Sequence, residues 1–286
     1  MIEPPLDPRE HPFRADLAAS YLEGKVDAAR FADGEMVKVS AGVLPLHRKP
    51  DAGSGRDSEL LFGERFMVYD RDGDGDWVWG QGQTDGYVGY VLEAAISPDD
   101  GAPTHEIRVP RTHAFEKPDL KTRPVALLHM TSRVQVDDEA DGYCLVDAGG
   151  WVPRRHLAAI GETEADIVET ARSFMHTPYL WGGRSSLGMD CSALVQFALL
   201  RAGRSAPRDS DQQERSIGAV VDGGVDAALP GDLLYLKGHV VMVAGANSVI
   251  HANAHHMAVA EEPLDGFLDR MGGLGLSVTT VRRVMG

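Results

Sequence analysis

The sequence predicts an α+β architecture in which two small β-barrels precede a unit of helices packed on an antiparallel sheet. Its length of 286 residues favours two or three modules over a single core. Short β-rich runs separated by Gly, Asp and Pro turns fill the first half of the chain, as in small barrels. Helical spacing and then further β-rich runs fill the second half, which is typical of an α+β domain.

The N-terminal half is predicted to hold a helical segment and two barrels. A short helix over residues 15–22 is predicted within the segment 1–35. The first barrel is predicted over residues 36–103, where four β-rich runs follow one another: residues 36–48, 59–70, 77–83 and 86–96. The second barrel is predicted over residues 104–160, because the endings "DGYVGYVLEAAI" and "AGGWVPRRHLAAI" indicate a degenerate internal repeat.

An acidic stretch in the first barrel, "DRDGDGDWVWGQ", begins like a calcium-binding loop. Asp70, Asp72, Asp74 and Gly75 occupy the expected positions. The twelfth position, however, holds Gln81 instead of a bidentate glutamate, and β-rich runs rather than helices flank the stretch. The sequence therefore predicts an acidic hairpin turn, and no metal or other cofactor is expected anywhere in the chain.

Composition excludes several classes of partner. The net charge is −15, from 28 basic and 43 acidic residues, so no nucleic-acid partner is expected, since phosphate binding needs a basic face. The apolar stretch "HVVMVAGA" is far shorter than the roughly 20 residues that span a bilayer, so no membrane segment is expected. The start of the sequence lacks the apolar core of a secretory signal, and two cysteines in different modules form no disulfide framework. A cytoplasmic location is expected.

The third module is predicted over residues 161–286 and begins with two helices. Apolar residues recur at helical spacing after Thr163 and Asp166, which resemble a capping box. A second helix is predicted over residues 192–202, with Gly203 as its stop. Strands are predicted at the β-rich runs that follow: residues 232–236, 239–245, 248–252, 257–262 and 278–284.

Cys191 falls at the start of the second predicted helix, a position that suits a nucleophile. Unpaired amide groups there carry partial positive charge, so the thiol pKa is expected to fall below its free value of about 8.5. The same amide groups can form an oxyanion hole. The alternative is a cysteine packed as a small hydrophobic residue, and Cys144, in the β-rich run "YCLVD", is assigned to that alternative.

A nucleophilic cysteine needs a base, and two histidines on neighbouring predicted strands are candidates. His239 begins the run "HVVMVAG", and His251 lies in the run "SVIHA" that follows it. Antiparallel strands joined by "AGANS" can bring the two side by side, with His251 holding the tautomer of His239. His251 and His255 are also four residues apart, but that spacing pairs metal ligands on a helix, and this segment is predicted as strand and loop.

Three blocks of the third module resemble, in order, the signature motifs of the NlpC/P60 family of papain-like cysteine peptidases: "PYLWGGRSSLGMDCSALVQ", "LPGDLLYLKGHVVMV" and "VIHANA". The resemblance covers roughly residues 162–286 and implies a papain-like catalytic domain. It also implies that Cys191 is the nucleophile, His239 the base and later the acid, and His251 the orienting third residue. Tyr179 matches a family tyrosine whose hydroxyl lies near the oxyanion.

The resemblance further implies a substrate. Members of the family cleave bacterial cell-wall peptides, most often between γ-D-glutamate and a diamino acid. In the subgroup with SH3-like barrels before the catalytic domain, a free N-terminal L-alanine is required. By the same resemblance Asp190, Ser192 and Ser210 would surround the alanine ammonium and the neighbouring backbone, and Glu64 and Tyr87 of the first barrel would complete the pocket. A buried ammonium must be paired, and the pairing rejects acylated amines.

The expected function is therefore a γ-D-glutamyl-L-diamino acid endopeptidase that acts on murein peptides during cell-wall recycling in the cytoplasm. Two alternatives stay open: a thiol-dependent amidase or acyltransferase, and a wall-binding SH3 protein with an inert peptidase domain. The chain departs from the family pattern at Ala193, where glycine is usual, and at Met189.

Overall fold

The computed structural model describes residues 6–73 and 75–284. It divides the chain into two compact units, Met1–Ile160 and Gly161–Gly286. Within the described residues, no helix combines the length and the apolar character that crossing a membrane requires.

The first unit is built from short strands. They are β1 (Ala18–Ala19), β2 (Phe31–Ala32), β3 (Glu35–Val39), β4 (Val43–His47), β5 (Arg56–Leu61), β6 (Arg65–Arg71), β7 (Trp77–Gly82), β8 (Val88–Leu92), β9 (Ile96–Pro98), β10 (His105–Ile107), β11 (Arg111–Phe115), β12 (Pro124–His129), β13 (Arg133–Val134), β14 (Val136–Ala140), β15 (Tyr143–Val146), β16 (Gly150–Pro153) and β17 (Leu157–Ala159). Short 3-10 turns cover Ser20–Leu22, Glu93–Ala95 and Arg154–His156.

The helix predicted over residues 15–22 is wrong. In its place, β1 pairs in parallel with β2, and only the 3-10 turn Ser20–Leu22 is helical. Ala18 and Leu22 are buried there in a small apolar cluster. Tertiary packing of a few small residues therefore overrides a weak local helix preference.

The first β module of this unit is a single antiparallel sheet in the order β5-β4-β8-β7-β6-β3-β9. Alternate residues of its strands, including Val37, Leu46 and Val78, are buried in one core, as expected for sheets with one face inward. The acidic stretch joins β6 to β7 as a hairpin turn, in which the Asp72 side chain accepts a hydrogen bond from the Gly75 amide at 2.7 Å. Asp74, part of that prediction, lies outside the described residues.

The second β module has one sheet in the order β12-β11-β16-β15-β14 and another in the order β13-β10-β17. Its core includes Leu128, Cys144 and Val152. Both modules end in a strand, a 3-10 turn and a strand, which matches the repeat visible in the sequence. The two modules are in close contact at Gly63 of the first and Arg133 of the second. A Cβ atom at position 63 would lie 1.9 Å from the carbonyl oxygen of Arg133, so a larger residue would clash there.

The second unit combines helices with an antiparallel sheet. Its elements are α1 (Ile167–Arg172), β18 (Arg184–Ser185), β19 (Gly188–Met189), α2 (Cys191–Arg201), α3 (Ser210–Ser216), β20 (Ala219–Val220), β21 (Leu233–Leu236), β22 (His239–Gly245), β23 (Ser248–Asn253), β24 (Ala258–Pro263), α4 (Leu264–Gly273) and β25 (Thr280–Arg283), with a 3-10 turn at Gly224–Ala227. The sheet order is β20-β25-β21-β22-β23-β24, and all neighbours are antiparallel.

Helices α1 and α2 pack together, and Phe174, two residues after the end of α1, stacks on Phe197 of α2 with ring centroids 5.0 Å apart. The N-cap of α1 is Asp166, three residues after Thr163, where the predicted capping box begins. The Asp166 side chain accepts hydrogen bonds from the amides of Val168 and Glu169. Helix α4 was not predicted, because three glycines in "LDGFLDRMGG" lower its helix propensity. Burial of Phe267 against the sheet stabilises it instead.

Candidate active site

Cys191 is the first residue of helix α2, and Asp190 is the N-cap of that helix. The Asp190 side chain accepts a hydrogen bond from the Ala193 amide at 3.0 Å, which fixes the start of the helix directly at the cysteine. The preceding loop is closed by the β18–β19 hairpin and by a bridge between Tyr179 and Met189. The Asp-Cys pair thus marks the exact boundary where a loop becomes a helix.

The surroundings of the Cys191 sulfur correct one prediction. Burial, and secondly the Asp190 carboxylate, raise the pKa of the thiol to about 12, where the helix position alone predicted a lowered pKa. Backbone hydrogen bonds from Val240 and Ser192 and the charge of Arg208 act in the opposite direction but do not prevail. The residue is 7% exposed. These surroundings favour the neutral form of the Cys191 thiol in the substrate-free protein.

His239 and His251 are brought together by the strand pairing. The register of β22 and β23 pairs Met242 with Ile250, which places His251 diagonal to His239 on one face of the sheet. Nε2 of His239 lies 2.8 Å from Nδ1 of His251. Since His239 immediately precedes Val240, whose amide faces the Cys191 sulfur, the strand carries the first imidazole to the nucleophile.

Glu262 extends this chain of side chains, and sequence reasoning missed it. Nε2 of His251 lies 2.8 Å from Oε1 of Glu262, and the same oxygen contacts the guanidinium of Arg270 on α4. The register pairs Val249 with Glu262, so Glu262 is diagonal to His251 on the same face. The signal was available, because only the second of the two glutamates in "AEEP" has the parity that faces His251.

The hydrogen bonds assign the tautomers. Burial is the largest cause that lowers the pKa values of His239 and His251 to about 3, so both rings are neutral. An ionised carboxylate only accepts, so Glu262 requires a proton on Nε2 of His251. Nδ1 of His251 then accepts from Nε2 of His239, and Nδ1 of His239 is left with a free lone pair. That atom could accept a proton, as the predicted base of a neutral thiol must.

Asp190 is the centre of a buried hydrogen-bond network. Arg208, which sequence reasoning missed, donates to both of its oxygens, with distances of 2.6 and 2.9 Å. The Ser192 hydroxyl and the amides of Gly182 and Ala193 also donate to Asp190. The carboxylate thus accepts five hydrogen bonds, so a substrate ammonium would share it with Arg208 rather than find it unpaired.

Ser210 begins helix α3, two residues after Arg208. Asp209 caps this helix in a capping box with Gln212. Gln213 of the same helix donates to the carbonyl oxygen of Ser192 at 3.0 Å. Helix α3 is thereby tied to the start of α2, which holds Ser210 in the same region as Asp190 and Ser192.

Tyr179 also faces the cysteine. Burial, then the nearby Cys191 and Asp190, raise the pKa of its phenol to about 12. Its amide donates to the carbonyl oxygen of Met257 at 2.9 Å, which fixes the backbone at this point. The hydroxyl is therefore a protonated hydrogen-bond donor near the sulfur.

The two predicted substrate residues of the first unit are both buried. The Glu64 carboxylate accepts hydrogen bonds from the Leu61 amide and the Thr84 hydroxyl, both at 3.0 Å. Tyr87 is 6% exposed and belongs to the core of the first β module. A role for Glu64 and Tyr87 in substrate binding stays a prediction from the resemblance.

One group of side chains has the composition of a metal site: His251, His256 and Glu262 present ligand atoms within 4.8 Å of one another. Both ring nitrogens of His251 are already hydrogen-bonded, and Arg270 brings a positive charge to the same Glu262 oxygen. These contacts favour a hydrogen-bond network over a cation site.

Two parts of the chain match known protein families. Residues 176–270 match the NlpC/P60 family, and residues 46–96 match the bacterial dipeptidyl-peptidase Sh3 domain. Dipeptidyl-peptidase 6 of Lysinibacillus sphaericus is 37% identical over 100 residues, which is 35% of this chain and 36% of that protein. A gamma-D-glutamyl-L-lysine dipeptidyl-peptidase of Bacillus cereus is 24% identical over 249 residues, which is 76% of this chain and 74% of that protein.

The fold has a solved counterpart in an NlpC/P60 family protein from Bacillus cereus. The TM-score is 0.75 at 20% sequence identity, over 88% of this chain and 100% of the other. The two family matches given above cover residues 46–96 and 176–270, and the SH3-like nature of the second β module, residues 104–160, stays a prediction. The chain contains an NlpC/P60 domain and a bacterial SH3 domain, and it is homologous to gamma-D-glutamyl-L-lysine dipeptidyl-peptidases.

Proposed function

We propose that the protein is a cysteine peptidase that hydrolyses the bond between γ-D-glutamate and a diamino acid in murein peptides with a free N-terminal L-alanine. The observation that carries the proposal is the hydrogen-bond chain from Glu262 through His251 to His239, the residue directly before Val240, whose backbone amide faces the Cys191 sulfur. The name of the Bacillus cereus relative supports the γ-D-glutamyl bond as the target.

The chemistry begins with attack of Cys191 on the γ-glutamyl carbonyl. Nδ1 of His239 takes the thiol proton as the S–C bond forms, since both groups are neutral at rest. Backbone amides at the start of α2 and the protonated Tyr179 hydroxyl stabilise the oxyanion.

The tetrahedral intermediate then collapses, and the C–N bond breaks. The imidazolium of His239 gives its proton to the departing amine of the diamino acid. In the second half of the reaction, His239 takes a proton from water, the hydroxide attacks the thioester, and the sulfur leaves with that proton. L-Ala-D-Glu and the diamino-acid product are released.

Selectivity for a free amine is assigned to the network around Asp190. A substrate ammonium brought to Asp190 and Ser192 would compete with Arg208 for the carboxylate oxygens. An acylated nitrogen carries no charge, so it would gain no charge-assisted hydrogen bond to Asp190, and the carboxylate would stay paired with Arg208 alone. Such a preference fits a role in recycling wall fragments rather than in cutting intact wall.

The test uses two matched peptides, L-Ala-γ-D-Glu-L-Lys and the same peptide with an acetylated N-terminus, with products followed by mass spectrometry. We expect L-Ala-D-Glu and lysine from the free peptide and little product from the acetylated one. Equal cleavage of both peptides would remove the amine requirement. Release of a different fragment, or transfer of the acyl group to an added amine, would favour an amidase or acyltransferase instead.

A further inference from the structure

The side chains of Glu261 and Glu262 lie on opposite faces of the sheet, because consecutive residues of strand β24 point to opposite sides. Glu261 pairs with Arg172 of α1 at 3.0 Å and with the Ser248 hydroxyl at 2.8 Å. Glu262 instead contacts His251 and Arg270. Two adjacent carboxylates of one strand therefore have separate partners, and only one of them touches the histidine chain.

We infer that Glu262 is a positioning residue of this site: its carboxylate holds the proton of His251 on Nε2 and thereby leaves Nδ1 of His239 free as the base. The inference rests on the proposed function for its catalytic consequence, but the tautomers themselves belong to the substrate-free protein. His251 is 1% exposed, so water cannot easily take the place of the carboxylate.

Without the Glu262 carboxylate, neither ring nitrogen of His251 is fixed as the hydrogen-bond donor or as the acceptor. Its ring could then carry the proton on Nδ1, which would force Nε2 of His239 to accept and move the His239 proton to Nδ1. In that arrangement the nitrogen needed by Cys191 is already protonated. The wrong tautomer therefore stops proton transfer without moving any residue.

Helix α4 supplies the support for Glu262. Arg270 contacts the carboxylate, and its guanidinium lies 5.6 Å from the ring centroid of Phe267. The Phe267 ring packs edge-on against His251, with centroids 5.3 Å apart, and is fully buried. Arg270 fixes the rotamer of Glu262, and its positive charge also opposes protonation of both histidines. The helix thus connects directly to the catalytic histidines.

The experiment compares Glu262→Ala, Glu262→Gln and the matched control Glu261→Gln. Glutamine keeps an acceptor oxygen for His251, so Glu262→Gln should retain the tautomer and most of the activity. Glu262→Ala should lower kcat by about 100-fold with little change in KM, since general-base catalysis contributes about 10²- to 10⁴-fold. Nitrogen-15 NMR of the ring nitrogens should show His251 protonated on Nε2 in the parent and in Glu262→Gln, and mixed tautomers in Glu262→Ala.

Two results would overturn the inference. One is a Glu262→Ala protein with the parent's tautomers; the other is an equal loss of kcat in Glu262→Ala and Glu261→Gln, which would indicate a general loss of stability. If Glu262→Ala does not fold, mixed tautomers in the parent protein or in Glu262→Gln would still contradict it. If the parent cleaves no γ-glutamyl peptide, the proposed function fails, and the NMR result still decides the role of Glu262.

Discussion

Cys144 and Cys191 lie in different units and are both buried. Cys144 is in the middle of β15, opposite Val152 and Glu139, where burial and then Glu139 raise its pKa. Burial raises the pKa of Cys191 as well. Cys191 differs in its neighbours: it is the first residue of helix α2, and the amide of Val240, which follows His239 in β22, faces its sulfur. Burial alone therefore does not identify a reactive cysteine; the identity and direction of the neighbouring donors and acceptors do.

The largest expected effect separates the two cysteines directly. Cys191→Ala should lower kcat/KM for a γ-glutamyl peptide by about 10⁴-fold or more, because no other group can form the thioester. Cys144→Ala should keep the activity and cost about 1 kcal/mol of unfolding free energy, as a small core truncation does. Steady-state kinetics and denaturant unfolding check the pair. Equal activity of parent and Cys191→Ala would end the nucleophile assignment.

The buried ion pair beside Cys191 should have the next largest effect. Arg208→Met removes the partner of the buried Asp190 carboxylate and should cost about 3–5 kcal/mol of unfolding free energy. The matched control is Arg215→Met in α3, whose pair with Asp211 is largely exposed and should contribute less than about 1 kcal/mol. Urea denaturation of both variants measures the difference. Equal losses would show that the Asp190 pair is not the stabilising feature.

Buried histidines offer a parallel comparison. His251→Ala should lower kcat by about 10²- to 10³-fold, because the tautomer of His239 loses its partner. His129 of the first unit is also buried, with its pKa lowered to about 4 chiefly by burial. His129→Ala should leave kcat unchanged while it lowers stability. An unaltered kcat in His251→Ala would exclude its orienting role.

The smallest effect, when it is measured per pH unit, is a pH dependence of stability. Burial lowers the pKa values of His239 and His251 to about 3, against an ordinary value of about 6.5. Between these values the unfolded chain binds protons that the folded chain does not, so stability falls as pH decreases. Each histidine contributes a slope of at most about 1.4 kcal/mol per pH unit. Denaturant midpoints that stay constant over this range would contradict neutral, buried rings.

Much of the second unit could be predicted from the sequence, because its signals are local or periodic. The run at His239–Gly245 is a strand with the predicted bounds, and α2 begins within one residue of its predicted start. Pairing of neighbouring strands by a short turn is also a local property, which is why His239 and His251 could be placed together.

The parts that sequence reasoning missed depend on long-range packing. Arg208 meets Asp190 across 18 positions, and Arg270 reaches Glu262 from a helix with weak propensity. The predicted direction of the Cys191 pKa shift was wrong for the same reason. A helix start is visible in a sequence, whereas the desolvation that outweighs it exists only after the core has formed.

We expect Cys191 to rest as a neutral thiol and to lose its proton to His239 only during attack. Thiolate absorbance in the ultraviolet, measured as the difference between the parent and Cys191→Ala from about pH 4 to about pH 10, tests it directly. No Cys191 thiolate signal is expected below about pH 9, because burial raises the pKa of the thiol. A thiolate signal that is already full near pH 6, as in a preformed ion pair with His239, would contradict it.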